Sequence, residues 1–255
     1  MYQSFYTGAL GAGTCMAKMS VLSNNLANIN NNGFKPKTAA FTDLLQFNLN
    51  DSEDATTELQ AGNGVRMQRT YTNFDTSTFR NTNSDLDYAI HQANQFFMVQ
   101  NPTTGEITYT RTGHFYRSER EDGFYLATDA GKLVLDQNGQ PIRLRDPREI
   151  EENEENQENQ DLSLLEDDEQ KVSLYTFTHP SRLRSVGDNE FAPPEDMPPI
   201  LVENPEMTQG AVESSGTDLA KEMVRIIECQ RAYSYALRMV TTSDEIESTI
   251  NSLRG

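Results

Sequence analysis

The chain has 255 residues, of which 36 % are hydrophobic, and its formal net charge at pH 7 is -18. This length permits one sizeable core or two modest ones. The negative charge argues against a nucleic-acid partner, because phosphate binding requires clustered Lys and Arg. No apolar run approaches the roughly eighteen residues of a membrane-spanning helix, and residues 1–13 have no basic, apolar secretory signal. We therefore expect no direct membrane insertion and no cleaved signal.

The N-terminal segment has the apolar repeat of a helix. Its apolar stripe follows alternating steps of four and three: Phe5, Ala9, Ala12, Met16, Met19 and Leu26. A second stripe repeats every seven residues beside it: Gly8, Cys15, Leu22 and Ile29. Together they predict a heptad-like helix with a wide apolar face. Gly33 offers a left-handed position after the helix, and Pro36 prevents its continuation.

The segment after this helix is polar. Asp51–Gly64 reads as a loop, and we assign residues 46–84 to a linker and extended segment.

The middle of the chain changes to a period of two, which is typical of strands. The predicted strands are Gln95–Gln100, Ile107–Phe115, Phe124–Thr128, Lys132–Leu135, Ile142–Leu144 and Val172–Phe177, with Gly- and Asn-containing turns between them. They predict a mainly antiparallel β domain made of residues 85–148 and 171–192. Residues 193–205 are rich in proline and predict an extended connector.

The tract Glu149–Gln170 contains eleven acidic residues and no basic residue. We expect this insertion to be disordered or solvated. An alternative function follows from it, namely a soluble interaction module whose acidic tract binds cations or a basic partner.

The C-terminal segment again has the repeat of a helix. Ser215 and Asp218 have capping-box spacing, and the stripe that follows is interrupted at Gln230: Leu219, Met223, Ile226, Tyr233, Leu237 and Val240. Beyond Val240 the repeat shifts phase and continues through Met239, Ser243, Ile246, Ile250 and Leu253. A helix of this length needs a partner for its apolar stripe. We therefore predict an α+β fold. Its terminal helices pack together as a discontinuous, coiled-coil-like domain of residues 1–45 and 206–255, with the β domain inserted between them.

Several motifs in this order resemble the flagellar basal-body rod and hook protein family. Near the start, Leu22–Ile29 reads LSNNLANI and Asn32–Lys35 reads NGFK. Near the end, Gln209–Ser215 reads QGAVESS, followed by Asp218-Leu219 and Gln230–Tyr233, which reads QRAY. Between them lie Gly62–Val65, Asp85–Ile90, Phe96-Phe97, Tyr109–Gly113 and Val186–Phe191. The resemblance covers almost the whole chain.

The resemblance implies a structural subunit of the basal-body rod, in a proximal or distal position. Such a subunit forms a tubular helical polymer that transmits torque to the hook. The implied partners are other copies of the chain, other rod proteins, the hook protein and the flagellar type III export apparatus. The implied location is the flagellar basal body, outside the cytoplasm after export. No catalysis is implied.

We assign the assembly interface to the terminal helices. Asn24, Asn25 and Asn28 lie beside the apolar stripe, where their amides suit contacts between helices, although Asn is also common at helix ends. The complete set of interface residues is Phe5, Ala9, Ala12, Met16, Met19, Leu22, Asn24, Asn25, Leu26, Asn28, Ile29, Leu219, Met223, Ile226, Gln230, Arg231, Tyr233, Leu237, Val240, Ile246, Ile250 and Leu253.

Signals for other chemistry are weak. The three histidines are scattered without a metal-binding spacing, and neither cysteine has a catalytic motif around it. Asp136–Gly139 reads as a β-turn rather than a calcium loop. We therefore predict no enzyme activity, no catalytic or metal site and no cofactor. We interpret Cys15 and Cys229 as small buried hydrophobes, because both fall on apolar helical stripes. If the end helices run antiparallel, the offset of the two cysteines along the axis disfavours a disulfide within one chain.

Overall fold

A computed structural model describes residues 2–44, 46–48, 60–120, 122–145 and 171–254. Within them the chain forms two compact units. The helical unit comprises Met1–Ile29, Pro36–Asn73 and Thr217–Gly255, and the β unit comprises Asn30–Lys35 and Phe74–Gly216. The acidic tract Glu149–Gln170 and most of the predicted loop Asp51–Gly64 lie outside the described residues.

The helical unit contains helix α1, Tyr2–Ala27, and helix α2, Leu219–Arg254. It also contains strands β1 (Lys37–Asp43), β2 (Gln46–Asn48), β3 (Gln60–Gly62) and β4 (Val65–Thr72). Strand β1 pairs antiparallel with β4, and β2 pairs with β3. The pairing of β1 with β4 was not predicted, because the burial of β4 alternates only weakly along its length.

The β unit contains the remaining strands. They are β5 (Phe79–Asn81), β6 (Tyr88–Ile90), β7 (Gln95–Gln100), β8 (Ile107–Thr110), β9 (Tyr116–Arg120), β10 (Gly123–Ala127), β11 (Leu133–Val134), β12 (Arg143–Leu144), β13 (Leu174–Thr176), β14 (Arg184–Gly187), β15 (Glu190–Ala192), β16 (Ile200–Leu201), β17 (Met207–Gln209) and β18 (Ala211–Glu213), with a short 3-10 helix at Pro180–Arg182. The main sheet runs β12-β10-β11-β7-β8-β15-β14, and β17 pairs with β6 and β18 with β5.

Strand β7 is the centre of the β unit. It pairs antiparallel with β8, β11 and β13. Phe97 and Val99 point into one apolar cluster, and Phe96 and Met98 point into a second. This alternation follows from the period of two along a strand. The fold is therefore α+β with a mainly antiparallel sheet, as the sequence predicts.

The ends of the helices are set by local chemistry. Gly33 adopts a φ of 66°, the left-handed conformation predicted for it. At the start of α2 the predicted capping box does not form as written. The Lys221 backbone N–H donates to Asp218 Oδ1 at 3.2 Å, so Asp218 caps the helix itself.

Candidate assembly interface

Helices α1 and α2 pack antiparallel within the helical unit. The Ser4 and Ser243 hydroxyls lie 3.2 Å apart near one end of the pair. Near the other end, Asn25 Nδ2 donates to Glu222 Oε2 at 3.4 Å. The packing of terminal helices against each other is therefore confirmed.

The contact line between the two helices, which we call the seam, follows steps of four and three on both. On α1 it includes Ser4, Gly8, Gly11, Cys15, Lys18, Leu22 and Asn25. On α2 it includes Glu222, Ile226, Cys229, Tyr233, Ala236, Val240 and Ser243, without a shift of phase. The seam is therefore not interrupted in the turn that contains Gln230, and it keeps its phase from Val240 to Ser243, where the contact with α1 ends. Small and polar residues occupy many seam positions. The apolar stripes identified in the sequence therefore lie largely on the helix faces next to the seam.

Small residues bring the two backbones close together along this line. A Cβ atom added to Gly8 would lie 3.1 Å from Val240 Cγ2 and 3.2 Å from the Ala236 carbonyl oxygen. A Cβ atom added to Gly11 would lie 3.8 Å from the Cβ of Ala236. The close approach therefore depends on the absence of a side chain at Gly8.

Asn25 has a structural role at the end of α1. Its side chain is 1 % exposed. It donates to the Lys37 carbonyl oxygen at 2.8 Å and accepts from the Lys37 N–H at 2.9 Å, as well as contacting Glu222. Asn24 is exposed, and Asn28 donates to its carbonyl oxygen at 2.8 Å. Among the three predicted asparagines, Asn25 therefore connects α1 to both β1 and α2.

The other predicted interface residues divide between seam and surface. Ala12 and Leu22 are buried, and a further set is partly buried: Met19, Leu26, Asn28, Ile29, Ile226, Tyr233, Val240 and Ile250. The remainder are exposed: Phe5, Ala9, Met16, Asn24, Leu219, Met223, Gln230, Arg231, Leu237, Ile246 and Leu253. Sequence reasoning missed Ser4, Gly11, Glu222 and Ala236 in the seam. These residues fit the alternating steps of four and three along each helix. The sequence would have indicated them if small and polar residues had been included in the repeat.

Some of the exposed residues of α1 and α2 lie on the same side of the helix pair. Phe5, Ala9 and Met16 each follow a seam residue by one position, as do Met223, Gln230 and Leu237 on α2. One residue is a rotation of about 100° around a helix. In an antiparallel pair this rotation leads to the same side on both helices. We call this surface the outer face; Met16 is 59 % exposed on it and Met223 46 %.

Helix α2 also extends beyond its partner. From the Ser4–Ser243 contact, α1 continues only to Tyr2, whereas α2 continues to Arg254. Ile246 and Leu253 lie in this extension and are 45 % and 82 % exposed. Next to the outer face of α1, and sharing Ala9 with it, an apolar groove of about 420 Å³ is lined by Tyr6, Leu10, Ala17, Val65 and Met67 among others. The helical unit thus presents apolar surface on several sides.

In the β unit, three motifs quoted above meet at a buried carboxylate. Glu213 forms ion pairs of 2.7 Å with Lys35 Nζ and with Arg111 Nε, and all three side chains are at most 1 % exposed. The Ser77 backbone N–H and hydroxyl also donate to Glu213 Oε1, at 2.7 and 3.1 Å. The Arg111 guanidinium donates in addition to the carbonyl oxygens of Gln95 and Ile90.

Burial and the neighbouring charges shift the pKa values in this cluster. Burial, assisted by the Arg111 charge, lowers the pKa of Lys35 to about 8. Burial would raise the pKa of Glu213, but the Arg111 and Lys35 charges outweigh it and hold that pKa below its usual value. Gly33 packs on the same cluster, since a Cβ atom there would lie 2.7 Å from the Arg111 carbonyl oxygen.

Other chemistry finds little support among the described residues. No group of three or more His, Cys, Asp or Glu side chains there is placed to hold a metal ion. No described helix combines the length and apolarity needed to cross a membrane. The Asp136–Gly139 segment forms a turn in which the Asn138 and Gln140 N–H groups donate to Asp136 Oδ1.

Comparison with known proteins gives a consistent result. Residues 208–253 match the family model described as flagellar basal body rod FlgEFG protein C-terminal. The chain is 31 % identical over 270 residues to the flagellar basal-body rod protein FlgG of Buchnera aphidicola subsp. Schizaphis graminum, covering 99 % of this chain and 100 % of the relative. It is 28 % identical over 269 residues to FlgG of Borreliella burgdorferi, covering 100 % and 99 %. It is also 26 % identical over 277 residues to the flagellar hook-basal body complex protein FlhP of Bacillus subtilis, with both chains fully covered.

These relatives match the chain from end to end, and they share with it the C-terminal segment that contains most of α2. The chain therefore belongs to the family of flagellar basal-body rod proteins and is a structural subunit of the rod in the basal body.

Proposed function

We propose that this subunit polymerises through its helical unit. The outer face of one copy packs against helices of its neighbours, forming a tubular shaft that transmits torque to the hook. The assembly domain is the discontinuous pair of segments 1–45 and 206–255, with a coiled-coil-like α1–α2 pair. The partners are further copies of the chain, other rod proteins and the hook protein, after delivery through the flagellar type III export apparatus.

The observation that carries this proposal is the amount of apolar side chain left uncovered on the helices. Phe5, Met16, Leu219, Met223 and Leu237 are each between 37 % and 60 % exposed. Contiguous exposed apolar surface in a folded chain marks an interaction site. A helix with apolar residues on several sides is typical of one surrounded by other helices.

Exposed side chains at the end of α2 add a second reason. Residues beyond Ser243 extend past α1, and Leu253 is almost fully accessible. A helix end of this kind is marginal in water without tertiary contacts. A neighbouring subunit would supply those contacts.

The test compares polymerisation of the purified full chain with that of charge variants. Met16→Glu and Met223→Glu place a carboxylate in the outer face, whereas Ala232→Glu places one on the other side of α2, at an exposed position that precedes the seam residue Tyr233. We expect the first two to raise the critical concentration for polymerisation by about tenfold or more, because a buried unpaired charge is costly. Ala232→Glu is expected to polymerise like the wild type. Equal polymerisation by all four proteins would contradict the proposal.

A further inference from the structure

The only two cysteines of the chain, 214 positions apart, lie in contact on the seam. The Cys229 thiol donates to the Cys15 carbonyl oxygen at 3.0 Å. Cys229 is 3 % exposed, and Cys15 is partly exposed. The sequence analysis expected an offset along the helix axis to keep Cys15 and Cys229 apart. That expectation is wrong, because the two residues are in contact.

The surrounding seam suits a covalent bond between the helices. A disulfide requires Cα atoms roughly 4.4–6.8 Å apart, closer than most helix pairs allow. Here Gly8, Gly11 and Ala236 bring the backbones together on the side of Cys15 nearer the N-terminus of α1. The contact between the Cys229 thiol and the Cys15 carbonyl oxygen places the two cysteines opposite each other on the seam.

We propose that Cys15 and Cys229 form a reversible disulfide that locks the α1–α2 pair when the chain meets an oxidising environment. Disulfides persist outside the reducing cytoplasm. The timing of the bond rests on the proposed export of the subunit, whereas the pairing of the two cysteines does not.

The oxidant is a small-molecule or protein disulfide. The Cys15 thiol loses its proton and attacks one sulfur of the oxidant, forming a mixed disulfide and releasing one thiolate. The Cys229 thiol then loses its proton and attacks the Cys15 sulfur, closing the bond and releasing the second thiolate. Two protein thiols are oxidised and one oxidant disulfide is reduced to two thiols.

The second step requires the Cys229 thiolate. Burial, together with the neighbouring Cys15 thiol, raises the pKa of Cys229. Less thiolate is present at neutral pH, so closure of the bond accelerates as the pH rises. The exposed face of Cys15 is the entry point for the oxidant.

The experiment measures disulfide formation in the reduced full chain with oxidised glutathione as the oxidant. The matched control is a double variant, Cys229→Ser with Ser234→Cys. It moves one thiol five residues along α2 to an exposed position and leaves the length of the closed loop nearly unchanged. Intact mass and maleimide labelling count free thiols, glutathione adducts and intrachain bonds. Both proteins are measured as dilute chains and after polymerisation.

We expect the wild type to lose both thiols to an intrachain disulfide, with an effective thiol concentration at least about 100-fold above that of the control. The single variants Cys15→Ser and Cys229→Ser are expected to keep one thiol or one glutathione adduct. Two separate glutathione adducts on the wild type in both states, or equal closure in wild type and control, would overturn the proposal. The thiol count does not depend on polymer yield, so a failure of the proposed assembly would be recognised separately.

Discussion

Glu213 stabilises the β unit by neutralising two buried cations. Lys35 and Arg111 both contact it and are shielded from solvent. Removing the acid leaves two like charges buried without the carboxylate that neutralises them. Breaking a buried ion pair in this way costs about 3–5 kcal/mol.

We therefore expect Glu213→Gln to lower the free energy of unfolding by an amount in that range. Glu203→Gln, a change of the same kind at an exposed position, is expected to change it by less than about 0.5 kcal/mol. Urea denaturation followed by tyrosine circular dichroism measures both. A loss for Glu213→Gln no larger than that of the control would show that the cluster contributes little.

The lowered pKa of Lys35 predicts that the free energy of unfolding depends on pH in the alkaline range. Burial, assisted by the Arg111 charge, lowers its pKa to about 8 in the folded chain, from 10.5 for a solvent-exposed lysine. Between these values the unfolded state binds more protons, so this residue makes stability rise with pH. The rise is at most about 3–4 kcal/mol, from 1.36 kcal/mol per pKa unit.

The measurement is the free energy of unfolding of wild type and Lys35→Met between pH 7 and pH 11. The difference between the two proteins isolates the residue from other titrating groups. We expect wild type to gain stability relative to Lys35→Met across this window. A constant difference would mean that Lys35 titrates normally in the folded chain.

Gly33 combines a positive φ with a close contact to Arg111. The free-energy cost that each feature imposes on a substitution can be measured separately. Gly33 and Gly139 have φ values of 66° and 75°. A Cβ atom at Gly33 meets the Arg111 carbonyl oxygen at 2.7 Å, whereas one at Gly139 meets nothing within 4 Å. We expect Gly139→Ala to cost about 1 kcal/mol and Gly33→Ala to cost clearly more in the same thermal unfolding assay. Equal losses would mean that the contact at Gly33 relaxes freely.

At the scale of elements, the seam between α1 and α2 depends on residues without large side chains. A Cβ atom added to Gly8 would lie within 3.2 Å of Val240 and Ala236, whereas one added to Gly13 on the same helix meets nothing within 4 Å. Gly→Ala within a helix normally stabilises it by roughly 0.5–1 kcal/mol. At Gly8 this gain is opposed by the loss of close packing.

We expect Gly13→Ala to raise the helical melting temperature and Gly8→Ala to lower it or leave it unchanged. Far-UV circular dichroism of the full chain reads both. A similar increase for the two variants would show that the helices are not held together at Gly8.

The elements that the sequence predicts well are those with a regular repeat. Strand β7 occupies the predicted residues Gln95–Gln100, because its two faces enter two apolar clusters in strict alternation. Both terminal helices were also predicted, because their apolar residues recur at steps of four and three. The phase of their contact was not, because Gly8, Glu222 and Ser243 carry no apolar signal.

The ion-pair cluster could not be predicted from the sequence. Lys35 and Arg111 are separated from Glu213 by 178 and 102 positions. Each lies in a motif that supported the family resemblance, but a charge in one motif does not identify its partner in another. The folded chain is needed to show that the motifs near the two ends of the sequence meet inside the β unit.

At the scale of the whole molecule, the two units differ in how completely they bury their apolar side chains. The β unit has its own apolar clusters and buried ion pairs. The helical unit leaves apolar side chains uncovered on both helices. This difference is typical of a subunit whose helices complete their packing in the polymer, and it supports the proposed assembly interface on the helices.

The most direct test of that interface is the oxidation rate of individual methionines in dilute chain and in assembled rods. Met16 and Met223 lie on the outer face, whereas Met98 and Met197 are buried within the β unit and serve as internal references. Hydrogen peroxide oxidises accessible methionines, and mass spectrometry of peptides reports each site. We predict that Met16 and Met223 oxidise readily in the dilute chain and at least about tenfold more slowly in rods, while Met98 and Met197 stay slow in both. Equal rates for Met16 and Met223 in the two states would contradict the placement of the interface on the outer face.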